Sequence, residues 1–214
     1  TVFSGGAVWK ACLSVREKLT GYAEKRLGTR DVVFADEKIT DAKDPANTAA
    51  LLEVIGDAFN NSDHLNSLGY FAAPPFDYDR STGVGDAYWS WVYGAAAAEV
   101  TVDLKTGAVS VDDYFAVHDV GHALDMEEVK GQIRGGVAMG IGYALTEEVD
   151  LKEGRIRNLN LENYIVPTAL DVPDQIHAIA LEIPSEIGPL GAKGLGEPAT
   201  CNVAPAIINA IDDA

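Results

Sequence analysis

The sequence predicts a mixed α+β fold, and three observations predict it. Residues 5–27 repeat apolar side chains close to every 3.6 positions (Val8, Ala11, Cys12, Val15, Leu19, Tyr22, Ala23, Leu27), as an amphipathic helix does. Ala98-Glu99-Val100-Thr101-Val102-Asp103 alternates with period 2 ahead of a Lys105-Thr106-Gly107 turn, which is a β-hairpin pattern. A long helical stretch, residues 126–148, is followed by a second hairpin and an apolar strand. Interspersed helices and strands of this kind indicate α+β or mixed α/β architecture.

In chain order, residues 1–4 form a short extended lead-in, with Ser4 as N-cap and Gly28 as stop for the first helix. Residues 31–35 are a short strand and residues 46–59 a second helix ended by Asn60-Asn61-Ser62. Residues 65–91 are irregular, because Pro74-Pro75 can continue neither a helix nor a central strand. The aromatics Tyr88, Trp89, Trp91 and Tyr93 follow; packing in the core is the favoured reading, a pocket wall the other. Residues 91–102 and 108–119 are the first hairpin, and residues 149–159 a second, turning at Lys152-Glu153-Gly154. Residues 176–183 are a strand and residues 198–210 a helix. There is no internal repeat or low-complexity linker.

The 214 residues carry 16 Lys+Arg against 33 Asp+Glu, a net charge of −17. Such an acidic chain is a poor ligand for nucleic acid or an anionic membrane surface. Cys12 and Cys201 are far apart and no C-x-x-C occurs, which argues against a cysteine-built zinc or iron–sulfur site. The same scarcity suits a reducing, cytoplasmic compartment. No run approaches the ~20 apolar residues of a membrane span, and no signal-peptide pattern stands at the start. A chain that begins with Thr1 is expected to be a piece of something longer.

Three stretches carry candidate chemistry. His118-Asp119 with His122 invites a metal reading, but no third ligand follows at usual spacing, and ordinary loop polar groups are the favoured reading. Residues 131–143 hold glycines at 131, 135, 136, 140 and 142. Each costs about 1 kcal/mol relative to alanine in a helix interior. Tight packing against another backbone, or a cofactor lying on the helix, would each be a reason, and Gln132 offers an amide that donates and accepts. Residues 188–198 contain four glycines, Lys193 and Glu197, with Pro198 suited to the first turn of a helix. Glu197 reads as an ordinary cap or as a general base, and spacing alone favours the cap. Phosphate-loop and G-x-S-x-G patterns fail throughout.

Taken together, four motifs carry a resemblance. They are Asp119-Val120-Gly121, Gly131-Gln132-Ile133-Arg134-Gly135-Gly136 with Gly140-Ile141-Gly142-Tyr143, Asn163-Tyr164-x-x-Pro167-Thr168, and Gly191-Ala192-Lys193-Gly194-Leu195-Gly196-Glu197-Pro198. In this order and spacing they resemble the C-terminal part of the molybdenum-binding subunit of the xanthine dehydrogenase/aldehyde oxidase family. His122 and Leu124-Asp125-Met126 depart from it, standing where relatives often carry a basic residue and Asn-Pro. The resemblance implies that residues 1–214 are the C-terminal fragment of a molybdenum-cofactor-binding domain, with any subdivision near residues 65–90.

It further implies that Glu197 is the catalytic base that deprotonates a molybdenum-bound hydroxyl. That oxygen, drawn from water, attacks an electron-poor carbon of a purine- or nicotinate-like heterocycle or an aldehyde. Gln132 corresponds to the pterin contact. Gly194 and Gly196 let the backbone approach the cofactor, and Lys193, a supporting residue, completes with them and Gln132 the expected cofactor-binding set. No protein residue is a metal ligand, because the molybdenum is held through molybdopterin, expected in its cytosine dinucleotide form. Iron–sulfur clusters and FAD are expected on other domains or subunits, and the remainder of the molybdenum subunit, an iron–sulfur subunit and an FAD subunit as partners. A non-catalytic assembly domain and an unrelated anion-binding module are the alternatives.

Overall fold

The computed structural model describes residues 2–75 and 77–214. Two compact units divide it, Phe3–Pro74 and one whose body is Pro75–Ala214. The first opens on α1 (Val2–Leu27), stopped by Gly28 at φ 68°, whose N–H donates to the Glu24 carbonyl at 2.9 Å. Ser4 lies inside this helix, and the extended lead-in expected at residues 1–4 is helical from Val2; Thr1 is outside the described residues. Three short strands follow as an antiparallel meander: β1 (Val32–Ala35), β2 (Lys38–Asp41) and β3 (Thr48–Ala50).

The second helix, α2 (Leu51–Asn60), starts later than its composition suggests. Thr48 pairs with Thr40 across the strands, and Ala49 turns inward, so 48–50 serve the sheet instead. Glu53 then accepts the Ala50 N–H at 3.0 Å and opens the helix. Leu19 and Ala23 of α1 pack on Ile39, Ala49 and Val54 as this unit's core.

The second unit begins with a small hairpin, β4 (Tyr78–Asp79) and β5 (Val84–Gly85). Phe76, in the segment expected to be irregular, lies outside the described residues. Tyr88, Trp91 and Tyr93 are exposed rather than packed in the core, Tyr88 and Trp91 meeting each other edge to face. The predicted hairpin forms β6 (Gly94–Val102) and β7 (Val109–Asp119), with a bulge at Glu99/Val100. Next come α3 (Met126–Leu145), the two-residue strands β8 (Leu151–Lys152) and β9 (Arg155–Ile156), and β10 (Ile176–Leu181).

β10 lies parallel to β7, giving a sheet of order β10-β7-β6. Parallel neighbours need a long crossover, and α3 supplies it. The C-terminal helix expected from residue 198 is two pieces, α4 (Pro198–Cys201) and α5 (Val203–Asp213), broken at Asn202. Inward residues of β7, Tyr114 and Ala116, meet Ile133, Val137 and Ile141 of α3 and Ala199, Val203 and Ile207 of α4 and α5. This core sets one end of α3 and the start of α4 side by side.

The glycines of α3 divide between the two reasons open for them. A Cβ at Gly136 would lie 2.6 Å from the Ala199 Cβ, and one at Gly140 would overlap the Val203 side chain. Those two let α4 and α5 reach the α3 backbone. Gly131 and Gly135 have open space where a Cβ would be, so nothing among the described residues requires them to be glycine.

Candidate cofactor site

The end of β7 and the segment after it organise the site. Gly121, at φ 68°, forms a bridge with Ala192, and a Cβ there would run into the Gly191 carbonyl and lie 2.7 Å from the Lys193 nitrogen. His122 N–H donates to Gly191 O at 2.8 Å and Lys193 N–H to Val120 O at 2.9 Å. The glycine-rich loop is thereby laddered onto residues 120–122. Its Leu195 side chain enters the core and its Gly196 does not. Gln132, exposed on α3, donates from Nε2 to the Gly196 carbonyl at 3.4 Å. The glycine-studded helix and the loop, 64 residues apart in sequence, therefore meet at Gln132 and Gly196.

Between them lies a cleft of about 310 Å³, lined by Val120, residues 122–125, Glu128, Val129, Gln132, Ala192, Lys193, Leu195 and Gly196. Asp125 caps α3, accepting from the N–H groups of Glu127 (2.9 Å) and Glu128 (3.2 Å). That occupies the donors an incoming anion would otherwise meet.

Glu197 follows Gly196 with helical backbone angles, φ −85° and ψ −38°, just ahead of Pro198. It is the N-cap residue of α4, where spacing put it, but its side chain makes no capping bond. Pro198 stands in the first helical position, where its missing N–H is not needed. The exposed carboxylate has no hydrogen-bond or ion-pair partner among the described residues. Lys193 is different: its Nζ stands 2.5 Å from Asp119 Oδ2, and the two side chains are 11% and 1% exposed.

The His118, Asp119 and His122 trio does not converge. His118 is buried, with burial pushing its imidazole below the ordinary 6.5, and its Nε2 has no hydrogen-bond partner among the described residues. Asp119 is committed to Lys193 and to the Gly121 N–H at 3.0 Å. His122 is exposed and pairs with Glu182 at 3.1 Å. Among the described residues no group of three His, Cys, Asp or Glu side chains is placed to hold a metal ion.

Residues 1–173 match the model of the molybdopterin cofactor-binding domain family. The chain belongs to that family. The match includes Gln132 and ends before the loop of Glu197. The chain is 39% identical over 140 residues to a probable xanthine dehydrogenase subunit of Bacillus subtilis (strain 168), covering 65% of this chain and 19% of that protein. The probable hypoxanthine oxidase XdhD of Escherichia coli (strain K12) is 30% identical over the full chain and 21% of its own length. Among solved structures, quinoline 2-oxidoreductase from Pseudomonas putida 86 superposes with TM-score 0.79 at 32% identity, over 99% of this chain and 27% of that one.

The chain thus spans about a fifth of the length of the curated relatives it matches. It corresponds to part of the molybdenum-binding subunit of the xanthine dehydrogenase/aldehyde oxidase family, and no helix among its described residues is long and apolar enough to cross a membrane.

The residues present fit a molybdopterin. Gly131, Gln132 and Gly135 fall within about 100° of arc on α3 at 3.6 residues per turn, and all three are exposed. Gly194 and Gly196 likewise meet no atom where a Cβ would be. Two helix glycines that no neighbour requires, flanking an exposed amide, suit a flat heterocycle laid against backbone. Sequence reasoning named Asp119 in the Asp119-Val120-Gly121 motif and Lys193 in the cofactor-binding set, and missed that the two pair with each other.

Proposed function

We propose that this chain supplies the base and one pterin contact of a molybdenum hydroxylase acting on an electron-poor carbon of a purine- or nicotinate-like heterocycle or of an aldehyde. The observation that carries the reading is the meeting of Gln132 with the Gly196 carbonyl, one residue before an unpartnered Glu197. The bound cofactor would supply an oxidising metal centre and a water-derived hydroxyl. Glu197 would take the proton from that hydroxyl; an exposed carboxylate with no partner in the chain is free to do so. Gln132 would hold the pterin edge through its amide. Gly194 and Gly196 would leave room for the cofactor beside the loop. Lys193, committed to Asp119, would act on the loop rather than on the cofactor.

Much of the cofactor's surface would be met by other protein, since this chain spans only about a fifth of the length of its curated relatives. We therefore propose the remainder of the molybdenum subunit, an iron–sulfur subunit and an FAD subunit as partners, a cytosine dinucleotide form of the cofactor, a cytoplasmic location, and the whole chain as the C-terminal part of the cofactor-binding domain. Coexpression tests this. The chain purified alone should carry no molybdenum, and the chain purified with the rest of its subunit should carry about one per complex, as metal analysis would show. Molybdenum absent from both preparations would return the chain to a purely structural role.

A further inference from the structure

We propose that Asp119 and Lys193 are positioning residues for the base: their buried ion pair locks the loop that carries Glu197 onto the end of β7. The proposal rests on the reading of Glu197 as base. The Glu197 carboxylate has no partner of its own among the described residues, Gly194 and Gly196 have open space where a Cβ would be, and the one hold on Gly196 is its carbonyl's bond from Gln132 Nε2 at 3.4 Å. Glycine backbone is the least restrained there is. The carboxylate's place is therefore set by what holds the loop on either side.

On the far side Ala199 is fully buried and sits against Gly136. On the near side Leu195 enters the core, and Lys193 is held twice, by its N–H to Val120 O at 2.9 Å and by its ammonium to Asp119 at 2.5 Å. Asp119 is in turn fixed by the Gly121 N–H at 3.0 Å. Gly121 must lack a Cβ for the loop to lie this close, since one there would come 2.9 Å from the Lys193 Cγ.

A buried ion pair is a poor way to gain stability. The desolvation of two charges offsets much of their attraction, and apolar residues of similar volume often serve as well. A pair retained at 11% and 1% exposure is better explained by direction. The backbone bond to Val120 and the ion pair to Asp119 together tie Lys193 to the end of β7, and the four-residue run to Glu197 starts from there.

The test uses the assembled enzyme, assayed with the best substrate among hypoxanthine, nicotinate and benzaldehyde. Lys193→Met alone strands a buried carboxylate and can fail to fold. The double variant Asp119→Asn/Lys193→Met strands no charge and keeps the volumes. It should retain wild-type molybdenum content and KM while kcat falls about 10²-fold, the cost of misplacing a catalytic group by about 1 Å. Lys193→Arg, which restores the cation, should recover most of kcat at unchanged KM. Unchanged kcat in the double variant overturns the proposal. So does a loss of kcat that only tracks lost molybdenum, because it marks a purely structural pair. Glu197→Gln, run alongside, separates the two readings: if it leaves turnover unchanged, the base assignment itself falls.

Discussion

Replacing Glu197 with glutamine in the assembled enzyme is expected to lower kcat by about 10²- to 10⁴-fold, the range a positioned general base supplies, with molybdenum content near wild type. Glutamine keeps the size and shape of the side chain and removes its basicity. The carboxylate is exposed and takes no hydrogen bond or ion pair from the described residues, so neutralising it breaks no contact within the chain. The anchors on either side, Leu195 and Ala199, remain buried. Fold and cofactor loading should therefore survive while chemistry does not. Steady-state kinetics with metal analysis on the same preparation checks both halves. Turnover at the wild-type rate with a full complement of molybdenum would remove Glu197 from the mechanism.

The second large effect is expected on cofactor loading, not on the chain's own fold. Gly131→Leu and Gly135→Leu put good helix formers where nothing in the chain stands opposite. Each should leave unfolding of the isolated chain unchanged or raise its stability by up to about 1 kcal/mol, the penalty glycine carries in a helix interior. If the pterin lies on this face, the added side chain intrudes on it. Overfilling a packed contact costs about 1–3 kcal/mol, or roughly 5- to 150-fold in affinity. Molybdenum and pterin content of the assembled enzyme should fall accordingly. Gly140→Leu should do the opposite, destabilising the isolated chain because its Cβ would overlap Val203. Both preparations fully loaded would mean that Gly131 and Gly135 do not face the cofactor.

The sequence carried most of the regular elements, because their periodicity is local. The 3.6-residue repeat of α1 and the alternation in β6 each lie within one element. Their ends were harder to read. Thr48-Ala49-Ala50 has helical neighbours and joins a strand only because Thr40 and Ile39 stand beside it. The break falls at Asn202, whose backbone (φ −102°, ψ 4°) ends α4 and opens α5, and no Gly or Pro at that position marks it. The exposure of Tyr88, Trp91 and Tyr93 contradicts what their apolar character suggests, and no local rule distinguishes an aromatic residue left uncovered from one buried.

The site was legible in its pieces and not in its frame. Gln132 and Glu197 stood out because glycines surround them. Which glycines serve packing and which leave a face open could be read only from the neighbours of each: Ala199 at Gly136, Val203 at Gly140, nothing at Gly131 and Gly135. The pairing of Asp119 with Lys193 stayed hidden for a similar reason. The two are 74 residues apart, and a His-Asp-x-x-His spacing points to metal ligation before it points to a lysine in a distant loop.

The placement of Gln132 and Glu197 at the cofactor can be measured most directly in an experimental structure of the assembled enzyme with molybdopterin bound. The expected result is the pterin within hydrogen-bond distance of the Gln132 amide, lying over Gly131 and Gly135, with the Glu197 carboxylate facing the metal. A pterin held elsewhere, with Gln132 and Glu197 both turned to solvent or to another subunit, would contradict it.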